Sequence, residues 1–164
     1  MTIGESFLPE FDREMANARK MLERVPEDRL TWKPHEKSMS MGRLAQHVAE
    51  LPGLAVVALQ TDSRDMAGLK PPEPLASREE LLNLFDSKRF EARDVIASAS
   101  DESLMRTWSV KMREKTLFSM PRAVVLRSFV LNQIVHHRGQ LSVYLRLNNI
   151  PVPGMYGPSA DESN

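Results

Sequence analysis

Residues 121–148 read PRAVVLRSFVLNQIVHHRGQLSVYLRLN and hold two of the four histidines. Leu126, Val130, Gln133, His137, Leu141 and Tyr144 recur at intervals of three and four, the spacing of one stripe along an α-helix. The stripe is apolar at both ends and polar in the middle. Burying polar groups is costly unless something pairs with them. Gln133 and His137 therefore meet a specific partner inside the fold or face a solvent-filled cleft. Pro121 suits a first helical turn, and Asn148-Asn149 precedes Pro151. The stretch predicts a helix over 120–148, about 42 Å long at ~1.5 Å per residue.

The rest of the chain supplies helices for this one to pack on. Phe11, Met15, Ala18, Leu22 and Val25 predict an amphipathic helix over 7–25, stopped by Pro26. Ser40 is an N-cap, and Met41, Leu44, His47, Val48, Leu51 and Ala55 share one face behind it. The pattern resumes after Pro52-Gly53, which predicts one kinked helix over 40–62. Residues 61–76 contain three prolines in a polar setting and read as a long loop, a candidate lid or dimer contact. Ser77 and Glu80 form a capping box for a helix over 77–99. WSVKMREKTLFSM, residues 108–120, alternates weakly and predicts an irregular hairpin. Residues 149–164 are too rich in Pro and Gly for regular structure, with Tyr156 as their anchor. Four long helices with long connections predict an all-α fold: a single four-helix-bundle domain over 1–164 with crossover connections.

Composition narrows the function. Lys plus Arg and Asp plus Glu are both 22, so no net charge draws the chain to nucleic acid or an anionic membrane. The absence of cysteine removes disulfides and thiolate ligands, leaving imidazole, carboxylate, amide and hydroxyl groups for chemistry. MTIGESFLPEF lacks the pattern of a signal peptide, and no apolar run approaches the ~20 residues of a membrane span. The expectation is a cytoplasmic protein.

Chemistry is expected where His47 and the pair Gln133 and His137 face inward from two helices. Two neutral imidazoles plus one further ligand, with a position left for water, outline a catalytic divalent-metal site. Gln133 is the weakest member, because an uncharged amide oxygen binds zinc or nickel poorly beside imidazole. The same residues also suit a hydrogen-bonded core network with ordered water. His136 lies about 100° off the stripe and suits a backbone partner or a dimer contact. Arg138 is on the flank, either solvated or paired with a carboxylate. Gly139 suggests a close helix crossing. His35 reads as a surface residue, and Asp161 and Glu162 reach the site only if the tail folds back.

NQIVHHRGQLSVYLRLNNIPVPGMYGPSADE and KPHEKSMSMGRLAQHVAELPG resemble the signature segments of the DinB/YfiT-like family, and the likeness covers roughly residues 7–162. The resemblance implies a four-helix bundle, often a homodimer, with three inward histidines holding nickel or zinc. His47 and His137 match two of them; Gln133 stands where the family usually has histidine. Wider relatives include thiol-dependent S-transferases and isomerases. The resemblance therefore implies a metal-dependent enzyme, a thiol transferase or hydrolase, acting on a small molecule with a low-molecular-weight thiol. The rival implication is a metal-free dimeric bundle that binds a small ligand or serves as a scaffold.

Overall fold

The computed structural model describes residues 1–162. Its helices are α1 (Ile3–Leu22), α2 (Met41–Glu50), α3 (Gly53–Gln60), α4 (Arg78–Ser98), α5 (Asp101–Met105), α6 (Arg122–Val125) and α7 (Asn132–Leu147). A π-helical stretch, Leu126–Leu131, joins α6 to α7. Three strands, β1 (Ser63–Asp65), β2 (Thr107–Met112) and β3 (Lys115–Pro121), form one sheet in the order β1-β2-β3. β1 runs parallel to β2, and β2 antiparallel to β3. The fold is therefore mixed α and β, and the all-α class is corrected. What overturns it is β1: a parallel strand from within the expected loop makes the hairpin a sheet.

The helices begin where side chains can satisfy their orphan N–H groups. Thr2 Oγ1 accepts from Glu5 N–H while the Glu5 carboxylate accepts from Thr2 N–H, so α1 starts before residue 7. Ser40 and Ser77 hydroxyls accept from Arg43 and Glu80 N–H in the same way. The Glu80 carboxylate reaches Ala76 N–H, one residue before the expected partner. Between α2 and α3, Leu51 and Pro52 keep right-handed helical dihedrals, so the break is short. A Cβ on Gly53 would lie 3.0 Å from Lys88 Cδ on α4, a contact that a small shift of the flexible lysine side chain relieves.

Helix α1 packs on α4 and α7, and α2 packs on the same two helices. The first two helices are thus not neighbours in the ring, as a crossover demands. Their shared core includes Phe11, Met15, Leu44, Val48, Phe85, Ile96, Leu141 and Leu145, each 1 % exposed or less. Full burial of each large side chain is worth roughly 1.5–3 kcal/mol, so this cluster dominates the fold. A second cluster of Ala58, Trp108, Val110 and Val125 fixes the sheet to α3 and α6. Trp108 Nε1–H donates to Thr61 Oγ1 at 3.1 Å, and Phe118 stacks on Phe129 at 5.0 Å. Arg122, also buried, donates to the Thr61 carbonyl at 2.8 Å and to Asp62 at 3.0 Å, tying the last helical segment to the start of β1.

Candidate functional site

Helix α2 brings His47 to its face between buried Leu44, Val48 and Leu51. Helix α7 brings His137 between buried Ile134 and Leu141. Because α2 and α7 pack together, the two rings meet with centroids 4.6 Å apart and planes at 73°. That separation lies inside the ~5 Å required for one ion bonded at ~2.1 Å to a nitrogen of each ring.

Both rings are half-buried. Burial, then the nearby His137 and Arg43, pushes the His47 pKa down to about 4, so its imidazole is neutral at pH 7. His137 Nδ1 lies 2.7 Å from Gln140 Oε1. A carbonyl oxygen can only accept, so Nδ1 donates, and the neutral form of the ring carries its lone pair on Nε2. Orienting a ring through its far nitrogen is what a ligand imidazole requires. Gln140 was legible in the sequence, since residues three apart on a helix are neighbours, but the stripe reading passed over it.

The remaining candidates separate from this pair. Gln133 is half-buried one turn before His137 on the same helix. His136 is exposed, its ring 4.8 Å from that of His137. His35 is exposed, and its Nδ1 accepts from Lys37 N–H. Asp161 binds Arg146 at 2.5 and 3.0 Å and accepts from Val152 N–H at 2.8 Å. Those bonds, Arg146 first, hold its carboxyl at about 2. Glu162 accepts from Gly154 and Ser159 N–H. These tail carboxylates fold the tail onto itself and onto α7. Among the described residues no three of His, Asp or Glu converge on one point. The protein donor set is thus two imidazoles, with the Gln133 amide on the neighbouring turn. It fits a divalent ion as a partial ligand set that leaves several positions for solvent or substrate.

Arg138 and Tyr156 have a structural role. The Arg138 guanidinium, 2 % exposed, lies 2.7 Å from Glu14 Oε2 and donates to the Glu14 carbonyl at 3.2 Å. Tyr156 OH donates to Glu14 Oε2 at 2.9 Å and accepts from Arg138 at 2.7 Å. This triad clamps the tail and α1 to α7 directly behind His137. Gly139 has no crossing partner: a Cβ there would meet nothing within 4 Å, so the close crossing is corrected.

His47 also borders an open cleft of about 750 Å³ between α2, α3, α4 and the segment after β1. Gln46, 3 % exposed, fastens the far part of that segment by donating to the Glu73 carbonyl at 2.9 Å.

Comparison with known proteins gives a consistent family. The DinB family profile matches residues 2–164. The uncharacterized protein YrdA of Bacillus subtilis is 25% identical over 162 residues, covering 96% of this chain and 90% of that one. A DinB-like protein of Bacillus cereus superposes with a TM-score of 0.74 at 20% identity, over 93% of this chain and 97% of the other. The DinB-like protein YjoA of Bacillus subtilis gives 0.72 at 18% identity, over 94% and 99%. At that identity the two structures establish the shared fold.

Proposed function

The chain belongs to the DinB family, and we propose that its His47–His137 pair takes up a divalent metal such as zinc or nickel to act on a small molecule. The observation that carries this reading is the approach of the two rings to 4.6 Å. Bound there, the ion would supply Lewis-acid chemistry, lowering the pKa of a coordinated water or thiol so that its anion is available near neutral pH. The chain's own contribution is preparation. Burial keeps His47 neutral, with its lone pair free at pH 7. Gln140 accepts the Nδ1 hydrogen of His137 and leaves Nε2 facing outward from that bond. Leu44, Val48 and Leu141, all fully buried, flank the two histidines on their helices. A low-molecular-weight thiol is the proposed cosubstrate, in keeping with a chain that has no cysteine. A cytoplasmic homodimer completes the proposal; a single 18.6 kDa species in sedimentation at working concentration would remove the dimer.

A second reading is favoured by Gln133, which offers an amide where a third imidazole is expected. In it the site is a metal-free pocket that binds a small ligand by hydrogen bonds. Thermal melting with chelator and with added zinc separates the two. Metal at about 100 times its Kd stabilises by about 2.7 kcal/mol, a rise of about 5–11 °C for a chain of this size. A melting temperature unmoved by zinc, nickel or chelator would favour the second reading.

A further inference from the structure

The chain is neutral overall, yet its charge is not evenly spread around the cleft beside His47. Four cations line the cleft: Arg43, Arg64, Lys70 and Lys88. Its one carboxylate, Glu50, is already bonded to Arg43 at 3.2 Å. Lys88 pairs outside the lining with Glu91 at 3.3 Å. Arg64 and Lys70 have no ion-pair partner among the described residues. Leu54, Met66 and Leu69 supply apolar surface between these charges. Cations gathered around a concave, partly apolar wall reinforce one another's field and raise the local concentration of anions. Apolar surface beside them adds affinity for a hydrocarbon body.

We infer that the cleft bounded by α2, α3, α4 and residues 64–72 binds a small organic anion with an oxyanion head and an apolar body. Arg64 and Lys70 meet the head, and Leu54, Met66 and Leu69 meet the body. His47 stands on the cleft wall, so a molecule seated there lies beside His47, whose ring is 4.6 Å from that of His137. As the substrate class of that pair the inference rests on the metal reading, but anion binding itself needs no metal. The head group is a carboxylate or a phosphate, chemistries that guanidinium and ammonium groups recognise alike.

The test is calorimetric titration of chelator-treated, full-length protein with 4-phenylbutyrate, phenyl phosphate and neutral 4-phenylbutyramide. At least one anion should bind at least about tenfold more tightly than the amide, and binding should weaken as salt rises from about 0.05 to 0.5 M. The tighter anion identifies the head. Arg64→Ala with Lys70→Ala should reduce that affinity by about tenfold or more, whereas Lys20→Ala on α1 should leave it unchanged. Lys70 is exposed and Arg64 half-buried, and unchanged circular dichroism and melting verify the fold. Equal binding of anions and amide, or full affinity in the double variant, would overturn the inference. Failure of metal uptake, measured separately, would remove only the catalytic reading and leave anion binding intact.

Discussion

Replacing Glu14 by alanine should destabilise the protein more than any surface substitution. Glu14 is 6 % exposed and Arg138 2 % exposed, with 2.7 Å between their charged atoms. Without the carboxylate, the guanidinium keeps only the Glu14 carbonyl and the Tyr156 hydroxyl as acceptors. Removing one partner of a buried pair strands the other charge in low dielectric, at a cost of about 3–5 kcal/mol. At about 2–4 °C per kcal/mol for a chain of this length, the melting temperature should fall by about 6–20 °C. Urea unfolding followed by circular dichroism should give the same loss at constant slope. The double variant Glu14→Leu with Arg138→Met removes both charges, and should be markedly more stable than the sum of the single changes implies. A Glu14→Ala loss under about 1 kcal/mol, or strict additivity in the double variant, would refute the reasoning.

Three further outcomes follow from the same geometry. Folding holds the His47 pKa at about 4 against 6.5 for an ordinary histidine, so the unfolded chain binds this proton first as pH falls. Stability from this group is therefore complete above pH 6.5 and is lost on acidification towards about 4; His47→Gln should flatten that part of a urea-unfolding pH series. Gly139→Ala adds a Cβ into open space on the exposed face of α7 and should stabilise by up to about 1 kcal/mol in urea unfolding; a loss would reveal another chain packed against α7. Tyr156→Phe removes a hydroxyl bonded to both Glu14 and Arg138, and should cost about 1–3 kcal/mol while speeding proteolysis of the tail.

The helical part was legible because its apolar stripes repeat at helical spacing over many turns. Phe11, Met15, Ala18, Leu22 and Val25 are all buried, as are Leu44, Val48 and Leu51. The hairpin of β2 and β3 was legible as well, but the third strand was not, because β1 has three residues and pairs with a strand more than 40 positions later. A strand so short shows no period, and parallel pairing leaves no turn signal. The start of α1 was missed for a simpler reason: its capping box, Thr2 with Glu5, precedes the first large apolar residue. At the site, the inward direction of His47 and His137 could be read from helix phase alone. Their meeting could not, since it depends on which helices become neighbours. The Glu14–Arg138 pair spans 124 positions and carries no local signature. Asp161 and Glu162 look like spare ligands in the sequence, yet the tail's own N–H groups and Arg146 occupy them.

Metal content bears most directly on the proposed chemistry. Tag-free protein exposed to zinc or nickel and then dialysed should retain stoichiometric metal by mass spectrometry. His136→Ala should retain it as well, while His47→Ala and His137→Ala, each verified as folded, should lose it. Metal retained equally in His47→Ala, or none retained by the unaltered protein, would contradict the account.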